Sequence, residues 1–382
     1  MKKFLIFSLS YYPRNVSGAE GAIKEITDRI QDVEFLMVTL RFTADDAKEE
    51  KIGNVMVYRV GGGSYMGKVL FPLLAALKAR SLYKAQHFDG VWAMMTYMLF
   101  PTMLARMLGV RVPHILTLQD GDSYEKVFGR LRIRPFLPLI NKGFRTATVI
   151  QSISEYLSTW PPRRGSRAPI ELIRNGANPK DLKESFDPAM VEGIKLKWGK
   201  QDGDVWLVNT SRLEHQKAQD VVIRALPLLP DNIKFLIVGG GQDEAMLKEL
   251  VKELGVGDRV MFAGQVTRDE VTAYRKASDI FVANSRSEGL GNAFLSALAS
   301  RLPLITTGVG GIADYAKDNE TAWIVPVDDP AALADKVKEV LAHPEEAAEI
   351  SARARTMVEE LYDWDKIAVQ MREKVFARIL HA

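Results

Sequence analysis

Two short stretches of this chain hold the residues best suited to chemistry. The first is Asn284-Ser-Arg-Ser-Glu288-Gly-Leu-Gly291-Asn-Ala-Phe-Leu-Ser296, which sets a carboxylate and a glycine-containing turn between a β-rich run and a helical pattern. A strand, a turn and a helix start leave backbone N–H groups without intrahelical partners, with the positive end of the helix dipole behind them, and that combination suits phosphate. Gly289, Leu290, Gly291 and Asn292 supply those amides. Glu288 would repel a phosphate, so its useful role is to accept hydrogen bonds from hydroxyls beside it, as on a sugar. The second stretch, Ser211-Arg212-Leu-Glu-His-Gln-Lys217, sets two cations just beyond another strand. Arginine can clamp a diphosphate with its planar fork and lysine can neutralise it as a point charge. Both would stabilise negative charge that develops as a diphosphate leaves.

Composition removes several other chemistries. The 382 residues include no cysteine, which excludes thiol nucleophiles, disulfides, iron–sulfur clusters and Cys-ligated zinc. The five histidines, at 87, 114, 215, 343 and 381, lack metal-ligand spacing, and His114 falls inside a strand pattern as a core residue. Gly62-Gly-Ser-Tyr-Met-Gly67-Lys68 has the phosphate-loop spacing but is followed by Val69, which offers no hydroxyl for magnesium. Asp120-Gly-Asp122 and Asp202-Gly-Asp204 share a D-x-D spacing; the second reads as a turn, the first follows a strand. What remains is chemistry done by oxygen, nitrogen and backbone groups.

The elements that must position these residues follow from the alternation of short β-rich apolar runs with helical patterns. The first half has strand candidates at 4–10, 33–39, 54–60, 90–95, 112–118 and 146–153, with helical stretches at 67–84 and 102–108. A second series follows at 205–210, 233–238, 259–263, 279–283, 303–307 and 322–327. Strands apolar on both faces and separated by helices predict parallel sheets covered on both sides. A chain of this length exceeds one core, and the Pro/Arg-rich stretch Trp160–Pro169 reads as the linker between domains 1–168 and 169–362. The expected fold is therefore α/β, two Rossmann-like doubly wound domains, with ligands at the carboxyl ends of the strands in a cleft between them.

Net charge is +3 overall, but it is unevenly divided. Residues 1–168 carry 24 Lys+Arg and 14 Asp+Glu, or +10, and the remainder carry 27 and 34, or −7. A basic half suits an anionic partner. The cluster at Arg130, Arg132, Arg134, Arg163 and Arg164 has no nucleic-acid motif or aromatic interleaving, so an acidic acceptor or a membrane surface fits it better than RNA. The N-terminus reads as a buried strand, not a signal peptide, and no stretch is long and apolar enough to span a bilayer. The expected location is cytoplasmic, peripheral at the inner membrane face.

The motifs resemble those of the retaining, nucleotide-sugar-dependent glycosyltransferases of family 4, which have the two-Rossmann-domain GT-B fold. Asn209-Thr-Ser-Arg212-Leu-Glu-His-Gln-Lys217 is similar to the family's G-R-L-x-x-x-K-G stretch, and Ser285-Arg-Ser-Glu288-Gly-Leu-Gly291 to its s-x-x-E-G-x-G signature. Ile173-Arg-Asn-Gly176-Ala-Asn178 resembles its N-G-v-D segment, and Gly308-Val-Gly-Gly311-Ile-Ala-Asp314 its G-G-x-x-E loop. The resemblance implies that Gly239, Gly240, Gln265 and Val266 line the donor's phosphate and base, and that Gly18, in the loop Tyr11–Glu20, faces the donor from the first domain. It also implies that the last helix, about 363–382, returns to the first domain. Two positions depart from the pattern. Ser296 stands where the family has a second glutamate on the ribose, and Gln119, before Asp120, stands where many members have histidine. The implied activity is sugar transfer from a nucleoside-diphosphate sugar to the hydroxyl of a sugar, lipid-linked or phosphorylated acceptor, in cell-envelope glycan or glycolipid synthesis. Arg212, Lys217 and Glu288 are its catalytic groups and Gln119 and Asp120 its acceptor side. The two departures leave open a donor-binding protein without transfer, or a hydrolase or epimerase on the same fold.

Overall fold

The structure is a computed structural model and describes residues 1–13, 17–131, 133–183 and 186–380. Arg14, Asn15 and Val16 of the first glycine-containing loop, Arg132 of the basic cluster and His381 lie outside the described residues. The chain forms two compact units: Met1–Asn175 together with the chain from Trp364 onward, and Gly176–Asp363.

The first unit is built on an eight-stranded sheet, ordered β3-β4-β2-β1-β5-β6-β7-β8. In chain order the strands are β1 Lys2–Phe7, β2 Val33–Leu40, β3 Glu49–Ile52, β4 Val55–Val60, β5 Gly90–Met94, β6 His114–Leu118, β7 Val149–Ser152 and β8 Ile170–Leu172. All pairs are parallel except β3 with β4. Strand β3 was absent from the sequence expectation because Glu49-Glu-Lys-Ile52 carries no apolar pattern. It is a charged edge strand held by a tight turn at Gly53 (φ +57°) and by its pairing with β4. The helices α1 Gly18–Arg29, α2 Tyr65–Gln86, α3 Leu99–Met107, α4 Tyr124–Gly129 and α5 Leu137–Thr146 belong to this unit.

The stretch read as a linker lies inside the first unit. Trp160 is fully buried, its ring 5.5 Å from that of Tyr124 and 5.6 Å from that of Phe128, and β8 then extends the sheet beside β7. Prolines 161 and 162 occupy the first turn of a short helix, where the missing N–H costs nothing, so they do not mark a break. The C-terminal segment adds Phe376, whose ring lies 5.0, 5.7 and 5.1 Å from Phe4, Phe35 and Trp92, so sequence-distant aromatics close this core.

The second unit has a six-stranded, all-parallel sheet: β9 Val205–Thr210, β10 Ile233–Val238, β11 Val260–Gly264, β12 Ile280–Ala283, β13 Leu304–Thr306 and β14 Trp323–Ile324. The order β11-β10-β9-β12-β13-β14 reverses direction between β9 and β12. That is the doubly wound arrangement whose ligands bind at the reversal, beyond the carboxyl ends of the strands. The expected strand over 322–327 is reduced to the two residues of β14, because Pro326 cannot donate to the ladder.

Candidate functional site

The two chemical stretches leave the sheet of the second unit from β9 and β12, the strands that flank the reversal. After β9 the chain runs through Ser211–Glu214 into a short turn of helix at His215–Lys217, then into the helix Gln219–Ala225. Ala218 adopts φ +54° at the junction. After β12 it runs through Asn284–Gly291 into the helix Asn292–Ala299. Gly291, at φ +88°, is the residue before that helix, and a Cβ there would overlap the Phe294 ring and crowd the Tyr315 hydroxyl. Tyr315 donates from its hydroxyl to the Leu290 carbonyl at 2.8 Å, which fixes the turn from below.

Lys217 donates to the Glu288 carboxylate, and both side chains are largely buried. The predicted cation and the predicted sugar-binding carboxylate therefore meet at one point. Arg212 is arranged differently. Its side chain is mostly exposed and donates to Glu214 at 2.6 Å, leaving the fork at the rim. The β9 loop is tied down by Gln219, whose amide donates to the Ser211 hydroxyl at 2.9 Å and to the Arg212 carbonyl at 3.0 Å. Asn209 donates across to the Val282 carbonyl at 2.9 Å, which locks β9 to β12 beneath both loops.

Gly239 and Gly240 follow β10 and lie against the β9 loop. A Cβ on Gly239, at φ +142°, would overlap the Ser211 carbonyl, and the Gly240 carbonyl accepts from Leu213 N at 3.1 Å. Gln265 follows β11 and approaches Gly240 closely: a Cβ there would sit 3.2 Å from Gln265 Cγ. Val266 is the next residue, half-buried, ahead of the capping box in which Thr267 and Glu270 open the helix Arg268–Ala277. From below, Gly310 and Gly311 support Glu288. Gly311 N donates to the Glu288 carbonyl at 3.1 Å, and a Cβ on Gly310, at φ +57°, would overlap that same carbonyl. Ser285 Oγ is buried with no protein partner, which leaves one hydroxyl within this loop unspent.

Sequence reasoning missed Arg286. It donates two bonds to Asp220, at 3.0 and 2.7 Å, one to Asp328 at 2.7 Å and one to the His215 carbonyl at 2.7 Å. Bonding to Asp220 is the main reason its guanidinium pKa is raised. Arg286 therefore staples the β12 loop to the β9 loop. Its partners lie 66 and 42 positions away, so no local pattern announced it.

Ser296 lies within the helix Asn292–Ala299, buried, and its hydroxyl accepts from Asn178 N at 3.1 Å. Asn178 in turn donates to Thr272 Oγ1 at 3.2 Å. Close by, Asp181 accepts from Arg275 and from the Ser300 hydroxyl at 2.9 Å in a fully buried pair. The helix behind the site is thus anchored to the segment Asn178–Asp181.

The remaining expected residues are in the first unit. Gly18 begins α1, capped by Ser17 and Glu20 in a capping box. Gln119 and Asp120 follow β6. Gln119 Oε1 accepts from Asn175 at 2.9 Å, while its Nε2 is buried with no protein partner. Asp120 Oδ2 accepts from the Thr96 hydroxyl at 2.9 Å and from Thr96 N at 3.2 Å, and its Oδ1 is buried without a partner. Burial is the largest cause of its carboxyl being pushed up to about 6, against the lowering effect of the Thr96 bonds. Asp122 instead pairs with Arg130 at 2.7 Å and Lys126 at 2.6 Å, so the two carboxylates of this D-x-D are committed to different partners. Asp204 of the other D-x-D pairs with Lys234 at 2.7 Å. Among the described residues no group of three or more His, Asp or Glu is placed to hold a metal ion.

Fold and site together define a doubly wound α/β protein whose loops gather beyond the carboxyl ends of β9 and β12. Residues 191–357 match the family of glycosyl transferases group 1. The chain is 29% identical over 250 residues to a GDP-mannose-dependent alpha-(1-6)-phosphatidylinositol monomannoside mannosyltransferase of Mycobacterium tuberculosis, covering 63% of this chain and 64% of that one. It is 28% identical to an N-acetyl-alpha-D-glucosaminyl L-malate synthase of Bacillus anthracis, covering 69% and 68%. The match thus spans somewhat under two thirds of the mannosyltransferase. Among solved structures, sucrose-phosphate synthase from Thermosynechococcus elongatus superposes with a TM-score of 0.87 at 19% identity over 100% of both chains. Anabaena HepE in complex with UDP-glucose superposes at 0.82 with 20% identity, over 99% of this chain and 100% of that one. The fold is GT-B, with two parallel-sheet Rossmann-like units.

Proposed function

We propose that the protein is a retaining glycosyltransferase that moves a sugar from a nucleoside-diphosphate sugar to an acceptor hydroxyl, with no cofactor beyond that co-substrate. The observation that carries this reading is the Lys217–Glu288 pair at the sheet reversal, beside the amides of Gly289, Leu290, Gly291 and Asn292. Glu288 accepts hydrogen bonds from sugar hydroxyls, and Lys217 bridges from Glu288 to the diphosphate. Arg212, free to swing from Glu214 at the rim, closes on the same diphosphate. The bond from the anomeric carbon to the diphosphate oxygen breaks as the bond to the acceptor oxygen forms. The charge left on the diphosphate meets donors that are already in place, which lowers the barrier to its departure. Gly239, Gly240, Gln265 and Val266 take the phosphate and base side, Ser296 stands toward the ribose, and Gly18, Gln119 and Asp120 serve from the first unit.

The M. tuberculosis relative is named for a phosphatidylinositol monomannoside, and the first 168 residues here carry +10. Both support a lipid-linked or phosphorylated acceptor met at a membrane surface, in cell-envelope glycan or glycolipid synthesis. Among the described residues no helix is long and apolar enough to cross a membrane.

The test is a panel of nucleoside-diphosphate sugars scored by thermal stabilisation, since a ligand bound to the folded state raises its apparent stability. Arg212→Ala and Lys217→Ala should each remove most of the shift given by the best donor. Variants that bind it as well as the parent would overturn the site. A donor that binds and is never transferred or hydrolysed, across sugar and lipid acceptors, would favour a binding protein instead.

A further inference from the structure

From Tyr65 to Leu77 the helix α2 is apolar apart from Lys68, yet it is buried on one side only. Its inner face places Phe71, Ala75, Ala76, Ala79 and Leu82 against the first unit. Its outer face, from the N-terminus to mid-helix, presents Tyr65, Met66, Val69, Leu70, Leu73 and Leu77, with exposures between 45% for Leu70 and 73% for Tyr65. A contiguous apolar surface on a water-facing helix marks a contact site. α3 packs against both α2 and α5, and just before α5 Phe136 is 52% exposed, its ring 5.6 Å from that of Phe100 on α3.

Charge identifies what covers this face. Between Glu50 and Asp120 the only carboxylate is Asp89, against Lys51, Arg59, Lys68, Lys78, Arg80, Lys84, Arg106 and Arg111; of these, Arg59 is buried against Glu50 and Lys78 pairs with Glu49 of β3. Lys68 lies within the apolar stripe, its ammonium 5.9 Å from the Phe42 ring, and Arg80 and Lys84 continue on the exposed side beyond Leu77. A second copy of the chain would bring like charges against like. An apolar stripe on a helix that carries cations and no carboxylate of its own instead matches the interface of an anionic bilayer, where side chains enter the acyl boundary and the cations meet the lipid phosphates.

We infer that the outer face of α2 is a membrane-docking surface that lays the first unit on an anionic lipid bilayer, with Met66, Val69, Leu70 and Leu73 inserted and Lys68 and Arg80 on the phosphates. The inference rests on the lipid-linked reading of the acceptor and names the surface that meets the membrane. It assigns α2 a job that needs neither Glu288 nor Lys217.

Flotation of the full chain with vesicles tests it. The parent should bind phosphatidylcholine vesicles containing phosphatidylglycerol, bind pure phosphatidylcholine at least about tenfold less, and release as salt is raised. Leu70→Ser/Leu73→Ser should lower the partition by about tenfold or more, and Lys68→Glu/Arg80→Glu should lower it on the anionic vesicles only. These positions are exposed, so both double variants should keep the parent's melting temperature and its stabilisation by a nucleoside-diphosphate sugar. Parent-like flotation of the leucine double variant would overturn the inference, as would a parent that fails to float with anionic vesicles. A parent that is dimeric by light scattering and becomes monomeric in the leucine variant would overturn it in favour of a second copy. Loss of the donor-dependent thermal shift in the parent strikes the functional reading alone, because vesicle binding is measured without donor.

Discussion

Lys217 and Glu288 lie 71 positions apart and form an ion pair with only 13% and 8% of their side chains exposed. Each removes the other's reason to be solvated, so truncating one strands a charge in a nearly dry site. Lys217→Ala should therefore destabilise the fold by about 3 kcal/mol, while Lys217→Ala/Glu288→Gln should lose less than the sum of the single changes. Urea unfolding of the four proteins checks this, and strictly additive losses would mean that the pair carries no coupling. Both single variants should also lose most of the donor-dependent thermal shift.

Gly310 sits at φ +57° with its missing side chain pointing at the Glu288 carbonyl. Gly310→Ala must strain the backbone and push the Glu288 loop, a combination worth about 1–3 kcal/mol. Gly257→Ala is the control, since nothing lies within 4 Å of a Cβ there and its φ is not positive. Donor affinity should fall for the first variant and not for the second.

The stretches Ser211–Lys217 and Asn284–Ser296 do come to one sheet edge, because strand–turn–helix units of this composition can only project their loops from the carboxyl ends of parallel strands. The pairing of particular side chains was not legible. Arg212 and Lys217 read as a matched pair of diphosphate ligands, yet one reaches Glu214 at the rim and the other Glu288 beneath it. Arg286 read as a loop residue, though its four bonds tie its own loop to His215 and Asp220 after β9 and to Asp328 after β14. Such contacts depend on where distant turns land, and spacing along the chain does not encode that. The same limit hid β3, whose pattern is charged because it is an edge, and made Trp160–Pro169 read as a linker although Trp160 is core.

Ser296 has a structural partner whatever it does for a ribose. Its hydroxyl is the acceptor for the buried Asn178 N–H, and Ser296→Ala would leave that N–H unpaired at a cost of about 1–3 kcal/mol. Ser296→Glu must in addition fit three more heavy atoms into a packed site, so it should unfold at lower urea than the alanine variant. If both variants match the parent in urea, Asn178 has found another acceptor and Ser296 is not an anchor of this helix.

Two buried groups in the first unit titrate with opposite consequences for stability. Burial raises the Asp120 carboxyl from 3.8 to about 6, so the folded chain holds a proton that the unfolded chain has released. Its contribution falls as pH rises through that window and is a full penalty above it. At 1.36 kcal/mol for each pH unit, the penalty at pH 7 is about 3 kcal/mol. Burial lowers His114 from 6.5 to about 4, so there the unfolded chain takes up the proton first and stability falls as pH drops through the same range. In the parent the two slopes oppose each other. Asp120→Asn removes the first and leaves the second, so the variant should gain relative to the parent between pH 4 and pH 7, by up to about 3 kcal/mol, and lose stability more steeply on acidification. Urea midpoints at pH 4, 5, 6 and 7 measure the difference. A gap between variant and parent that stays constant with pH would mean that Asp120 is ionised in the folded chain throughout, and that Thr96 outweighs its burial.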